Sequence, residues 1–464
     1  MYQNAHDAFT RAIATSDASL AEILGAFSYA LDLTEGQPAG HSIRACWIGS
    51  NIALAMGLTG KALRDCYYAT LLKDLGCSSN AARVAELFLG DDRKLKHQFK
   101  HIGPHARDFL TFIEQVVGVG EEAEVRGCAI DTLTSNAATV LTSLIDTRCN
   151  QGARIARRLR FSDEVAEGVA SLDEHWDGSG MPLGLSGAAI PLIARIALLA
   201  QTADIFFMTG GCEAACAEIA ARRGTWFDPA LVDLFLALGQ KPDFWATLAA
   251  DDLEAQLFTM EAGRHRVPVD EDYLDAIALA FGEVIDAKSA FTGGHSERVA
   301  IFTDHIADQL GFDPPSRRRL RRAAALHDVG KLGVSNRILD KQGKLDEAEW
   351  IEMRDHAALT EQILGRVGVM RDMAMIAGAH HERLDGTGYP HRLNCLAIGI
   401  ETRIITTADI FDALTADRPY RAAMPIDRAL AIMDNEAGSA VDPACLQALK
   451  AVISGGVPSA MLPV

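Results

Sequence analysis

The apolar positions of this chain recur at helical spacing in segment after segment, YLDAIALAFGEVID (273–286) being a clear case. Runs of valine and isoleucine with strand alternation are hard to find, and aromatic residues are few beside alanine and leucine. The pattern predicts an all-α fold. One helix is legible in detail. In DPPSRRRLRRAAALHDVGKLG, Asp313 and Pro314 mark a start and Gly330 an exit. His327 and Asp328 are thereby expected in the last turn, side chains about 100° apart and both able to reach one cavity. The arginines at 317–319, 321 and 322 read as a solvated helix face rather than an anion patch.

The chain also contains itself twice. GHSIRACWIGSNIA, from Gly40, resembles GHSERVAIFTDHIA, from Gly294, and LRDCYYATLLKDLG, from Leu63, resembles LRRAAALHDVG. His41 to Asp74 and His295 to Asp328 are both 33 residues apart. DGSGMP, from Asp177, echoes DGTGYP, from Asp385, with Arg195 and Arg403 each 13 residues beyond the proline. GTWFDP, from Gly224, matches GSAVDP, from Gly438. Four anchors in one order indicate a duplication. Asp74 to Asp177 is 103 residues against 57 for Asp328 to Asp385, so the first copy carries about 46 extra. The polar stretch GRHRVPVDED (263–272) is the best junction, giving copies 1–262 and 263–464.

Composition narrows the rest. A chain of 464 residues, 49% hydrophobic, has room for two or three domains. A formal charge of -18 argues against a nucleic-acid polymer or an anionic membrane as partner. Nine cysteines lack regular spacing; Cys212 and Cys216 make one i, i+4 pair without a second to complete a zinc set. They read as free thiols of a reducing cytosol. MYQNAHDAFTRAIATSD lacks the pattern of a signal peptide, and Gln201 and Asp204 interrupt the apolar stretch IALLAQTADIFF. The expectation is a cytoplasmic protein with no membrane span.

Metal-type ligands accumulate in the second copy: His295, His327, Asp328, His356, His380, His381 and Asp409. Each alone is a weak signal. Five imidazoles and two carboxylates exceed the needs of one tetrahedral zinc. Such a nitrogen and oxygen set suits two six-coordinate ions such as Fe or Mn, bridged by a carboxylate. Lys331, just after the His-Asp pair, is placed to meet a phosphate oxygen or a leaving oxygen.

HDVGK, HHERLDGTGYP and RIITTADIFDALTADRPYR together resemble the HD-GYP family of the HD phosphohydrolase superfamily, over about 170 residues of the second copy. The first copy resembles that domain in outline only. The resemblance implies a metal-dependent phosphodiesterase that opens cyclic di-GMP, the product being pGpG or GMP, using a hydroxide shared by two ions. It puts the seven side chains above on metal-ligand positions, with Asp328 bridging and Lys331 at the scissile phosphate. Gly388, Tyr389 and Pro390 form the GYP loop, and Arg418 and Arg421 fall on substrate-holding positions. Phe291 stands where some members have a third-metal glutamate, so two divalent ions are expected. Rival readings are a 3′,3′-cyclic GMP-AMP phosphodiesterase, another nucleotide-cleaving HD hydrolase, and a non-catalytic effector that binds the messenger.

In the first copy His41 and Asp74 remain, but Lys73 stands for His327, Cys77 for Lys331, Leu172 and Asp173 for the His pair, Met181 for Tyr389 and Gln201 for Asp409. Asp204 could replace Asp409 only after a local shift, and His101 matches His356 loosely. A fixed ammonium repels a dication. This half is expected to bind no metal and to serve in docking on the catalytic copy, in forming a homodimer, or in closing over the pocket. No residue signature marks it as a ligand sensor.

Overall fold

The structure, a computed structural model, describes residues 19–103, 106–262, 269–417 and 421–456. Among them the regular elements are helices, with three isolated bridges and no strand. Most of the expected junction, 263–268, lies outside the described residues, so the boundary between the copies stays a proposal.

The helix Pro314–Ala325 starts as expected, Asp313 accepting the Ser316 N–H at 2.7 Å ahead of two prolines. It ends earlier than expected. The Ala324 carbonyl takes both the backbone N–H of His327 at 3.4 Å and its ring Nδ1 at 2.7 Å, so the chain turns there. His327 and Asp328 therefore sit in the bend before the 3-10 turn Val329–Gly333, not in the last helical turn. The arginines of this helix are ion-paired: Arg317 with Asp304 at 2.9 Å, Arg318 with Asp275 at 2.7 Å, and buried Arg322 with Glu271 at 2.6 Å. They brace neighbouring helices instead of offering an anion patch.

The duplication is visible contact by contact. Ser42 donates to Asp32 through Oγ at 2.7 Å, and Ser296 to Asp286 at 2.6 Å. Arg44 meets Asp204 and Arg298 meets Asp412, both at 2.6 Å. Arg195–Asp228 at 2.7 Å recurs as Arg403–Asp442 at 2.8 Å. The helix Leu20–Thr34 packs on the second copy's turn Val329–Gly333 and helix Glu347–Gly365; reciprocally, Glu271–Asp286 packs on Cys77–Asn80 and Ala137–Arg158 of the first. Phe27 and Phe281, equivalent positions, stack on each other at 4.0 Å. A residue that meets its own equivalent marks a two-fold axis. The two copies thus pack on each other through equivalent faces, and one apolar core runs through both.

The extra residues of the first copy fold mainly as the helices Asp92–Phe99, Ala106–Val116 and Ala123–Ser135, with a small core of their own around Phe88, Phe112 and Ile113. The helix Leu192–Ala221 is long and apolar enough to cross a membrane by composition, yet 67% of its apolar window is buried inside the protein.

Asp32 supplies a pH test of this core. Burial pushes its carboxyl up to about 7, against the pull of Lys73 and Ser42. A raised acid holds its proton in the folded state, so its contribution is complete below the ordinary value of 3.8 and is lost as pH rises to about 7. Thermal denaturation of wild type and Asp32→Asn should diverge between pH 4 and 7, wild type losing on the order of 3 kcal/mol relative to the variant. Parallel profiles would refute this assignment.

Candidate metal centre and active site

The seven candidate ligands converge. His295 opens the helix His295–Gln309, His327 and Asp328 occupy the bend, and His356 lies inside Glu347–Gly365. His380 and His381 follow the helix Arg371–Gly378, and Asp409 comes from Ile400–Thr415. Asp328 sits between two groups. Its Oδ2 lies 3.5 Å from His295 Nε2 and 3.3 Å from His327 Nε2; its Oδ1 lies 3.5 Å from His356 Nε2 and 3.6 Å from His380 Nε2. Asp409 joins the first group at 3.5 Å from His295 Nε2, and His381 joins His356 and His380 within 4.8 Å.

Three of the rings are aimed by one local feature. His327, His356 and His380 each place Nδ1 on the carbonyl three residues earlier, those of Ala324, Met353 and Ala377. His295 places Nδ1 on Asp412 Oδ2 at 2.7 Å. An Nδ1–H so engaged leaves a lone pair on Nε2, the arrangement of metal-binding histidines. The Nε2 atoms of His295, His327, His356 and His380, and Asp328 Oδ1, are buried with no hydrogen-bond partner. Orphaned polar atoms at such density are costly unless cations satisfy them. The donor set of imidazole nitrogens and carboxylate oxygens fits divalent metal ions.

Charge agrees with this fit. Burial lowers His356 to about 4 and His380 to about 3, so both are neutral. Burial opposes ionisation of Asp328, but His327 and Lys331 hold it well below the usual carboxylate range. Burial also acts against protonation of His295, yet Asp328 and Asp412 outweigh it and raise this ring to about 9. The surrounding carboxylates favour positive charge at this place, whether a proton or a metal ion.

A family model described as HD domain matches residues 133–231 and 280–445. The chain is 50% identical over 442 residues to the 3′3′-cGAMP-specific phosphodiesterase 3 of Vibrio cholerae, covering 95% of this chain and 96% of that one. The chain belongs to the HD-domain family, as an HD-GYP phosphodiesterase. A crystal structure of a V. cholerae cyclic GMP-AMP-specific phosphodiesterase matches with TM-score 0.64 and 46% identity over 96% of this chain and 99% of that one. The cyclic di-GMP phosphodiesterase response regulator of Xanthomonas campestris is 38% identical over 167 residues, 36% of this chain and 44% of its own length.

In the HD-GYP loop, Glu382 accepts the N–H groups of His391 at 2.6 Å and Leu393 at 2.8 Å. Asp385 accepts Thr387 N–H at 2.9 Å. Gly388 is buried against residues 381–383, and a Cβ there would overlap their backbone. The glycine lets the loop approach its own chain closely. Tyr389 stands beside His381, ring centroids 4.8 Å apart, and Pro390 follows it half-buried. Lys331 donates to Asp328 Oδ2. Arg421 is placed differently from expectation: its guanidinium donates to the carbonyls of Ala413 at 2.7 Å and Leu414 at 2.9 Å, capping a helix end. Arg418 lies outside the described residues.

Three residues of the HD-GYP site were not singled out from the sequence. Asp412 orients His295, and Arg298 fixes Asp412 at 2.6 Å. Their signal was the twin set His41, Arg44 and Asp204 in the other copy, which makes Asp204 the equivalent of Asp412 and leaves Gln201 opposite Asp409. Arg354 lies 5.5 Å over the Tyr389 ring, and nothing in its local sequence marks it. Asp412→Asn should weaken metal binding or lower turnover by about 10–100-fold while sparing the fold, as measured by metal titration and steady-state rates. Unchanged affinity and rate would show that Asp412 does not orient His295.

The first HD-GYP-like copy keeps His41 and Asp74 and departs at the other five ligand positions. Gly76 packs on the Arg148 carbonyl as Gly330 packs on that of His356, so Arg148 stands for His356. His101 instead packs near Phe206 and Thr209, correcting the looser alignment. Arg148 is ion-paired with Asp173, at the position of His381, and Lys73 with Asp74. The structure does bring Glu35, Asp74 and Cys77 within 4.8 Å of one another. Lys100 at 2.8 Å and Lys96 at 3.3 Å already neutralise Glu35. Burial, Glu35 and Asp74 raise the Cys77 thiol well above its ordinary range, making it a poor thiolate donor.

Proposed function

We propose that this protein hydrolyses 3′,3′-cyclic GMP-AMP to a linear dinucleotide, at the centre built around Asp328. The orphaned Nε2 atoms facing the two oxygens of Asp328 support metal-dependent phosphodiester hydrolysis. The substrate rests on a full-length match at 50% identity to a relative named for that dinucleotide, against partial matches to relatives named for cyclic di-GMP. This reverses the order suggested by the motifs alone, which put cyclic di-GMP first. The division into a non-catalytic copy 1–262 and a catalytic copy 263–464, and a cytoplasmic location, belong to the same proposal.

His295, His327, Asp328 and Asp409 would hold one ion, and Asp328, His356, His380 and His381 the other. When bound, the ions supply Lewis-acid charge for the phosphate and lower the pKa of a water. Asp328 fixes the spacing of the two groups. Lys331, its ammonium anchored on Asp328 Oδ2, brings a further positive charge for a phosphate or leaving oxygen. Tyr389 and Arg354 wall the side nearest His381 and offer an aromatic face and a cation to a nucleotide. Arg418 and Arg421 remain proposed substrate contacts, Arg421 requiring release from its helix cap.

The test is turnover with Fe or Mn supplied anaerobically, comparing both dinucleotides. At least a tenfold higher kcat/KM for cyclic GMP-AMP is expected, about 1.4 kcal/mol of discrimination. Equal or reversed preference rejects the substrate; tight binding without product rejects the enzyme in favour of an effector.

A further inference from the structure

The first copy holds no intact ligand set, yet it encloses a cavity of about 250 Å³ beside the equivalent of the catalytic centre. Its walls are mainly apolar, with Phe88, Phe112 and Leu144 from the insertion's core and Ile205 and Trp226 opposite. Three cations, Lys96, Lys100 and Arg148, line it against two carboxylates, Glu35 and Asp173. Behind them Lys73 and Asp74 cancel. One positive charge is therefore left over at a largely buried site. Gln201, only 6% exposed, lines the same cavity, and its Oε1 has no hydrogen-bond partner.

A net excess of one formal positive charge and an orphaned acceptor, both lining a cavity with apolar walls, are costly features unless something satisfies them. A resident metal does not: ammonium groups already engage Glu35 and Asp74, and the excess charge is positive. We propose that the degenerate copy is a binding site for an organic monoanion, an apolar body within the aromatic and aliphatic walls, an anionic group at Lys100 and Arg148, and a donor toward Gln201 Oε1. Duplication supplied the cavity; loss of the ligands converted it from a metal centre into an anion-binding pocket. The 46-residue insertion supplies much of its apolar wall.

The probe is 8-anilinonaphthalene-1-sulfonate, an aromatic monoanion with one N–H, titrated by fluorescence into the intact metal-loaded chain with decanoate as competitor. One saturable site displaced by decanoate is expected. It should persist in His327→Ala, which alters only the other copy, and vanish in Ile145→Trp, which fills the cavity. Arg148→Met should weaken binding at least about tenfold, and Gln201→Leu about threefold to tenfold. Each variant is compared at unchanged circular dichroism and melting temperature. Gln201→Leu guards against misfolding, since it removes an unsatisfied group. No saturable binding, or binding indifferent to Ile145→Trp, overturns the site. Loss on cavity filling with indifference to both Arg148→Met and Gln201→Leu overturns the anion assignment. None of these outcomes depends on which dinucleotide the second copy cleaves.

Discussion

Asp328→Ala should abolish turnover, by at least about a thousandfold, and remove most bound metal while the helices stay folded. The carboxylate faces all four rings, His295 and His327 through Oδ2 and His356 and His380 through Oδ1. Without it the two groups of nitrogen ligands have no shared oxygen, and the Lewis-acid contribution of several kcal/mol disappears with the ions. Lys331 also loses its anchor. Circular dichroism and metal analysis on the same sample separate loss of the centre from loss of the fold. A variant retaining two ions and more than a tenth of the rate would show that Asp328 is not the bridge.

Gly330→Ala is the second large effect. A Cβ at this position would overlap the His356 carbonyl and crowd the Thr360 N–H. The turn carrying Asp328 and the helix carrying His356 must then separate, at a stability cost of about 1–3 kcal/mol. A shift near 1 Å between reacting groups costs roughly 100-fold in rate. The duplication provides an internal control. Gly76→Ala creates the same overlap with the Arg148 carbonyl in the first copy, so it should destabilise similarly while leaving metal content unchanged and kcat within about threefold. Equal kinetic damage from both would mean that the packing, not the centre, limits turnover.

Four of the seven candidate ligands were legible because they stand in contiguous motifs, His327 and Asp328 in HDVGK and His380 and His381 in HHERLDGTGYP, while His295, His356 and Asp409 are isolated in the sequence and were read from the resemblance. The helical class was legible from apolar spacing. What stayed hidden depended on three-dimensional partners. Whether the helix 314–325 runs on to Gly330 is decided by the His327 ring competing for the Ala324 carbonyl, which spacing does not encode. Arg148 rather than His101 answers His356 because the extra residues fall before the helix Ala137–Arg158, and the anchors bracketed that insertion without placing it. Arg421 matches a substrate-holding position in the motif, but a neighbouring helix end takes up its donors. The cavity of the first copy arises from residues scattered between 35 and 226, so no local pattern announces it.

Metal counting on the intact chain tests the central claim most directly. Protein recovered from cells replete in iron and manganese should carry two ions per chain, the same two in Lys73→Ala, and cleave a cyclic dinucleotide. A chain that comes out empty and inert, or a Lys73→Ala variant that loses an ion, would contradict a centre assembled by the later copy alone.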